Sequence, residues 1–213
     1  MRMRRKKNLV PRLEAVAPMI LPDPAIYRGN WREHFKRDKI WVELGCGMGR
    51  FAAECASRHP DVQLLAVEKV PDALVVAAEK AAAVGLPNLI LTGQDAALFD
   101  TWFERGEVDR LYIQFCDPWH KARQAKRRLT HRIFLDRYAK VLSQSGELIF
   151  KSDNRPLFDF TLQELPAAGW RLNAVSQDWH RDSGRPTDDI ATEYELKFAA
   201  QNVPIGRVSA GIG

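Results

Sequence analysis

The sequence predicts an α/β domain with a mostly parallel central sheet and helices on both faces. Short apolar runs alternate along the chain with longer segments of helical periodicity, which is typical of strand–helix–strand units. A glycine-rich turn follows the first of these runs, as expected where a parallel strand leads into a helix. The 213 residues, of which 46% are hydrophobic and 28% charged, suit one globular domain that spans residues 1–213.

The parallel strands are predicted from short apolar runs that turn residues bound on either side. These runs are residues 40–44, 63–67, 89–91, 111–115 and 146–151. Helices are predicted between and after them at residues 51–60, 71–85, 129–142 and 156–166. The second helix is delimited most clearly, because Pro71 suits a helix start and Gly85 suits the position just past a helix end.

The tail segment 193–198 alternates between charged and apolar residues. The charged set is Glu193, Glu195 and Lys197, and the apolar set is Tyr194, Leu196 and Phe198. Alternation with a period of two predicts a half-buried strand, antiparallel at the end of the sheet. In this interpretation Tyr194 faces the core, and Glu195 faces away from it, where a ligand can reach it.

Composition argues against membrane insertion and secretion. No apolar run approaches the roughly 20 residues that a membrane helix needs. The basic start of the chain resembles the beginning of a secretion signal, but Pro11, Arg12, Glu14 and Pro18 interrupt its apolar part. We therefore expect a cytoplasmic protein that has no membrane partner, with residues 1–12 as a basic, flexible N-terminal arm.

The three cysteines, Cys46, Cys55 and Cys116, do not form a metal-ligand pattern. The chain has no CxxC pair, and no histidine accompanies the cysteines at ligand spacing. We expect reduced thiols and no metal. The net charge of +5 is modest, so the position of the cations is more informative than their number.

The glycine turn, ELGCGMG, runs from Glu43 through Gly45 and Gly47 to Gly49, and its composition indicates the kind of ligand. A dinucleotide-binding turn needs a further glycine where this chain has Arg50. The carboxylate of Glu43 would repel the pyrophosphate of a dinucleotide but attract a cation. Because S-adenosylmethionine (SAM) carries an ammonium and a sulfonium, the turn favours SAM as the ligand.

Further acids follow the next two strands. Glu68 ends the second predicted strand, where an open α/β sheet places an acceptor for ribose hydroxyls. Asp95 follows the third predicted strand and is placed to reach an adenine amino group. Since the carboxyl ends of parallel strands meet at one edge of the sheet, these acids and the glycine turn predict a SAM site there.

A basic segment follows the fourth predicted strand, which ends in FCDPWHK at residues 115–121. From Trp119 to Arg132 the chain has no acidic residue. The cations in this segment are Lys121, Arg123, Lys126, Arg127, Arg128 and Arg132. A solvated surface is one interpretation. Because the segment lies at the strand end where the methyl donor is expected, we favour a polyanion whose phosphates it neutralises.

An exocyclic amine is an alternative substrate, because of the motif formed by Asp117, Pro118 and Trp119. They resemble the acidic-Pro-Pro-aromatic motif of enzymes that methylate exocyclic amines, in which the acid accepts hydrogens from the target amine. The basic segment is not part of that pattern.

Five segments together resemble the bacterial tRNA (guanine-N(7)-)-methyltransferase family. They are ELGCGMGRF, the strand end at Glu68, DPWHKARQAKRRL, FKSDN at 150–154 and TEYELKF at 192–198, in the order of the family. The resemblance implies the Rossmann-like class I SAM-dependent methyltransferase fold, tRNA as partner and a variable-loop guanine as target. The chain departs from the family pattern at His120, where proline is usual, and at Cys116, where proline or serine is common.

The resemblance also implies roles for single residues. It implies SAM contacts from the glycine turn and from Glu43, Glu68, Asp95 and Asp117. It implies guanine or RNA contacts from Lys121, Asp153, Thr192, Glu193, Tyr194 and Glu195. It implies RNA contacts from Arg123, Gln124, Ala125, Lys126, Arg127 and Arg128. Without the resemblance, Asp153 in the turn after the fifth strand is equally interpreted as a helix cap.

The chemistry expected for such a target is direct transfer. Guanine N7 has a lone pair and no hydrogen, so no base has to deprotonate it. We expect catalysis by alignment and by carboxylates that favour the developing positive charge, with Asp117 as an orienting group. The alternatives are an inactive RNA-binding module, an NAD-dependent oxidoreductase and an aminopropyl transferase, which the intact acids, Arg50 and the basic segment respectively disfavour. The sequence leaves open whether the protein is a monomer or a homodimer.

Overall fold

The computed structural model describes residues 6–213, and a seven-stranded sheet forms its centre. The strands are β1 (Lys39–Leu44), β2 (Val62–Val67), β3 (Leu89–Thr92), β4 (Val108–Gln114), β5 (Leu142–Ser152), β6 (Trp170–Ser176) and β7 (Gly206–Ile212). Their order is β3-β2-β1-β4-β5-β7-β6. Strands β1 to β5 pair in parallel, whereas β7 is antiparallel to both β5 and β6. The strand order reverses between β1 and β4, and open α/β sheets bind their ligands at the carboxyl ends of the strands beside such a reversal.

Helices cover both faces of the sheet. In the described part of the chain they are α1 (Leu9–Ala15), α2 (Trp31–Phe35), α3 (Arg50–Arg58), α4 (Pro71–Val84), α5 (Phe99–Trp102), α6 (Arg132–Val141), α7 (Arg155–Ala167) and α8 (Glu193–Ala199). Phe51 of α3 belongs to the core on one face, together with Leu64 of β2. Leu135 of α6 belongs to the core on the other face, together with Val42 of β1. The predicted α/β architecture is therefore confirmed.

The five parallel strands and the helices between them lie close to their predicted positions. Every residue of β2 is buried, so the four consecutive apolar residues 64–67 mark it in the sequence as a buried strand. Helix α4 begins at Pro71 and is followed by Gly85 with a left-handed φ of 68°, as its start and stop residues indicate. Strand β5 begins earlier than predicted, at Leu142, directly after α6.

The prediction of a strand at residues 193–198 is wrong, because this segment forms α8. Thr192 caps the helix: its Oγ1 accepts a hydrogen bond of 3.0 Å from the backbone N–H of Glu195. A threonine three residues before a glutamate is a common helix start. The predicted orientation is also reversed, since Glu195 is 0% exposed and Tyr194 is 45% exposed.

The antiparallel strand at the C-terminal end of the chain is β7, which is not the predicted segment and lies between β5 and β6 instead of at the end of the sheet. Its two glycines lower its strand propensity, so the sequence pattern does not predict a strand there. Gly206 is required by packing, because a Cβ there would lie 2.6 Å from Cγ of Phe158 in α7. Strand β6 was not predicted either, because most of its residues are exposed at the edge of the sheet and form no apolar run.

The predicted N-terminal arm, residues 1–12, lies partly outside the described residues. From Leu9 onward the chain is helical, and Leu9 and Leu13 pack against the α3/α4 core. Arg12 donates two hydrogen bonds of 2.7 Å to the carboxylate of Glu79 in α4. Between residues 6 and 213 no helix is long and apolar enough to cross a membrane, and no group of three His, Cys, Asp or Glu side chains is arranged to hold a metal ion.

Candidate active site

The glycine turn connects the carboxyl end of β1 to α3. Gly45 and Gly47 have φ angles of 80° and 56°, which side chains disfavour, and a Cβ on either would meet nothing within 4 Å. Gly49 also has a positive φ, of 74°, and packing excludes a side chain there as well, because a Cβ would lie 2.7 Å from Cβ of Ala77 in α4. The first two glycines therefore leave open space around the turn, and the third lets α3 and α4 approach each other.

Glu43 precedes the turn and is buried, with 2% of its surface exposed. Its Oε1 accepts a hydrogen bond of 3.4 Å from Nε2 of Gln114, and its Oε2 has no partner among the described residues. Burial raises the pKa of Glu43 to about 8, and the negative charges of Glu193 and Glu68 add to the rise. A cation bound near this carboxyl would stabilise its negatively charged form.

Glu68 and Asp95 follow β2 and β3, as predicted. The Glu68 carboxylate holds the glycine turn: its Oε2 accepts a hydrogen bond of 3.0 Å from the N–H of Gly47, and its Oε1 accepts one of 2.8 Å from Val70. Burial raises the pKa of Glu68, and the negative charge of Asp117 adds to the rise. Asp95 is exposed, and its Oδ1 caps the short turn that follows it.

The loop after β4 carries Asp117 between two residues with unusual backbone angles. Phe115 and Trp119 have φ angles of 52° and 44°, a region that costs a non-glycine residue on the order of 1–3 kcal/mol. Arg128 supports this loop, because its guanidinium donates hydrogen bonds of 3.0 and 3.2 Å to the carbonyl oxygens of Pro118 and Trp119. Asp117 itself is exposed, so the supported loop leaves its carboxylate accessible to a ligand.

The basic segment lies next to this loop and includes a 3-10 helix, Ala122–Arg127. Five of its cations are exposed, namely Lys121, Arg123, Lys126, Arg127 and Arg132. Arg127 also packs on Trp119, with Cζ 5.0 Å from the ring centroid. Arg128 donates its hydrogen bonds to the loop that carries Asp117. Arg132 forms an ion pair of 2.7 Å with Glu164 of α7. Four of the six cations in the predicted set are therefore exposed without an ion-pair partner among the described residues, whereas Arg128 and Arg132 bond to other parts of the protein.

Helix α8 crosses the carboxyl edge of the sheet and joins the parts of the site. At its start, Glu193 pairs with Lys80 of α4 at 3.0 Å and lies close enough to Glu43 to raise the pKa of that carboxyl. Beyond the end of β5, burial raises the pKa of Asp153, and the charge of Lys197 in α8 opposes this rise. Segments that are distant in the chain therefore meet at one edge of the sheet.

Glu195 faces inward, against its predicted orientation toward a ligand. Nζ of Lys151, at the end of β5, lies 3.1 Å from its Oε2. His180 and Arg185 lie 3.3 and 3.6 Å from its Oε1, and Asp189 lies 3.1 Å from Nζ of Lys151. This buried ion cluster attaches α8 and the loop before it to β5, so Glu195 holds the helix in place.

Three residues at this site are not among the predicted functional residues. Gln114 and Lys151 end β4 and β5, where parallel pairing sets them side by side. A polar residue that directly follows the apolar stretch of a parallel strand is the signal that points to both. The predicted strand places Phe198 toward the protein core. In the structure it lies in a partly exposed aromatic cluster with Phe115 and Tyr194.

Comparison with known proteins places the chain among methyltransferases. A family profile described as "Putative methyltransferase" matches residues 37–208. A protein of Bacillus cytotoxicus named tRNA (guanine-N(7)-)-methyltransferase is 39% identical over 99% of this chain and 96% of its own length. A protein of the same name from Geobacillus kaustophilus is 41% identical, with the same coverage of both chains.

Solved structures agree on the fold at much lower identity. A 16S rRNA methyltransferase, KamB, matches with a TM-score of 0.64 at 14% identity, covering 85% of this chain and 92% of its own. An antibiotic-related methyltransferase matches with a TM-score of 0.63 at 18% identity, covering 86% of this chain and 94% of its own. These likenesses establish the class I methyltransferase fold.

Proposed function

The chain belongs to the tRNA (guanine-N(7)-)-methyltransferase family, and from this membership we propose that it forms N7-methylguanosine at a variable-loop guanine of tRNA, with SAM as methyl donor. One structural observation carries the proposal. The buried carboxyl of Glu43, which lacks a cationic partner among the described residues, adjoins an open glycine turn, and the exposed Asp117 and the basic segment follow the neighbouring strand β4.

The residues at the carboxyl ends of β1, β2 and β3 fit SAM chemically. Glu43 would hold the ammonium, Glu68 the ribose hydroxyls and Asp95 the adenine amino group, with Gly45 and Gly47 leaving room for the ligand. The open space around these glycines and the unfavourable field at Glu43 support this assignment. When bound, SAM supplies an electrophilic methyl group on a sulfonium.

The residues on the acceptor side align the base. Guanine N7 has no hydrogen, so the carboxylate of Asp117 orients the purine and favours the positive charge that develops on it. Asp153 is the second carboxylate available to accept from guanine N1–H and the 2-amino group, which adenine does not present in that arrangement. Glu195 is committed to Lys151 and is not proposed as a guanine contact. Its part is to position the segment that carries Thr192, Glu193 and Tyr194.

The exposed cations of the basic segment would neutralise phosphates of the tRNA. Lys121, Arg123, Lys126 and Arg127 have the accessibility this needs, and Gln124 and Ala125 lie between them in the same 3-10 helix. Arg128 takes part through its support of the Asp117 loop. A tRNA substrate makes the cytoplasm the expected location of the protein.

The decisive experiment uses unmodified tRNA and labelled SAM, followed by nucleoside mass spectrometry of the digested RNA. We expect labelled N7-methylguanosine from the wild-type protein. Asp117→Asn should reduce turnover at least 100-fold, on the order of what one preorganised electrostatic group contributes, with an unchanged circular dichroism spectrum. Label in another nucleoside, or turnover of the variant near the wild-type rate, would contradict the assignment.

A further inference from the structure

Three aromatic rings form a surface beside Asp117 that the proposed SAM and phosphate contacts do not use. Phe115, Tyr194 and Phe198, here called the aromatic platform, have ring centroids 6.1 to 6.4 Å apart. Their planes are inclined by only 22° to 23° to one another. The platform joins the loop after β4 to helix α8, on which Tyr194 and Phe198 share a face because they are four residues apart.

The platform is open to solvent. Tyr194 is 45% exposed, and Phe115 and Phe198 are partly exposed. The backbone of Phe115 has a φ of 52°, a conformation that bulky residues avoid and that tends to occur where function demands it. Large rings that share nearly one orientation and remain accessible offer their faces to a flat ligand.

The neighbours of the platform indicate what that ligand is. Asp117 follows Phe115 by two residues, and the exposed cations of the basic segment begin at Lys121. Lys197 of α8 lies near Phe198, with Nζ 5.7 Å from the ring centroid. Aromatic faces bordered by cations are the combination that binds unstacked bases of single-stranded nucleic acid, because the rings stack on the bases and the cations meet the phosphates.

We propose that the aromatic platform receives the face of the target guanine after that base has left the RNA stack. The proposal rests on the proposed function and adds Phe115 and Phe198 as substrate-positioning residues. A guanine inside folded tRNA must lose stacking before N7 can reach the methyl group. The platform replaces part of that lost stacking at the place where Asp117 orients the base.

The test compares Phe115→Leu and Phe198→Leu with a control on the same helix, Leu196→Ala. Leu196 is 44% exposed. It is two residues from Tyr194 and two from Phe198, so it lies on the opposite side of α8 from these rings. We expect each phenylalanine variant to lower kcat/KM for unmodified tRNA about 10-fold, in line with the loss of one base–aromatic stack. SAM affinity measured by calorimetry and the melting temperature should stay close to wild type, and the control should retain full activity.

A fluorescent base shows directly where stacking occurs. In tRNA assembled with 2-aminopurine at the target position, wild-type protein should quench the probe, and Phe115→Leu should leave it brighter. A probe at the adjacent nucleotide should respond equally to both proteins. Equal quenching by wild type and variant at the target position, or a difference confined to the adjacent position, overturns the platform assignment. Absence of N7-methylguanosine from wild-type reactions overturns the proposed function instead, so the two failures are distinguishable.

Discussion

The ammonium of Lys151 lies 3.1 Å from a carboxylate oxygen of Glu195, and the two side chains are only 3% and 0% exposed. This pair joins the end of β5 to helix α8, which crosses the proposed active site. The position of α8, and with it that of Tyr194 and Phe198, therefore depends on a buried ion pair between residues 44 positions apart in the chain.

Breaking this pair from one side should be costly. Lys151→Met leaves the Glu195 carboxylate buried without its main cation, and we expect the free energy of unfolding to fall by about 3–5 kcal/mol. Adding Glu195→Gln to that variant should recover part of the loss, because the second change removes the uncompensated charge. Urea denaturation of the single and double variants measures both effects.

An exposed ion pair serves as the matched control. Arg155 and Asp159 lie 2.8 Å apart on the surface of α7, so Asp159→Ala should cost less than about 1 kcal/mol. If Lys151→Met proves no more costly than this control, the cluster does not hold α8 in place.

Glu43 should make the stability of the ligand-free protein depend on pH. Its pKa is about 8 in the folded chain because it is buried, whereas a solvated glutamate titrates near its ordinary 4.5. The folded state thus binds the proton more tightly, so this contribution is fully present below pH 4.5 and is lost as pH rises through about 8. Stability should fall over this window, by an amount on the order of a few kcal/mol.

Glu43→Gln isolates this contribution, because the amide keeps the shape of the side chain and does not titrate. Urea denaturation between pH 5 and pH 8 should give a flatter profile for the variant than for the wild type. The variant should also be the more stable of the two at pH 8. Parallel profiles would show that Glu43 does not keep its proton in the folded chain.

The exposed and the internally bonded cations of the basic segment should behave differently toward RNA. Arg123→Ala combined with Lys126→Ala removes two proposed phosphate contacts, so the slope of log Kd against log salt concentration should fall by about 2. Filter binding of tRNA across a salt series measures this slope. SAM affinity should not change.

Arg128→Ala is the matched variant in the same segment. Its guanidinium donates to the carbonyl oxygens of Pro118 and Trp119, so its loss should mainly lower kcat by loosening the loop of Asp117. A large change in salt slope with a normal kcat would show instead that Arg128 acts through phosphate.

The parallel strands, the glycine turn and the acids that follow the strands are predictable from the amino-acid sequence alone. These features are local: β2 is buried along its whole length, Pro71 and Gly85 delimit a helix by their own backbone preferences, and the carboxyl ends of parallel strands must share an edge.

The conformation of the segment around Glu195 follows from tertiary contacts, which the sequence pattern does not show. Six alternating residues are too few to separate a strand from a short capped helix, and the partner that buries Glu195 lies on another strand. Strand β7 is not predicted for a related reason: Gly206 lowers its strand propensity, and the ring of Phe158 in α7 leaves no space for a side chain there. In both cases a contact between distant parts of the chain outweighs the local pattern. A buried charge left without its partner, or a side chain forced against a ring, costs more than single-residue propensities contribute.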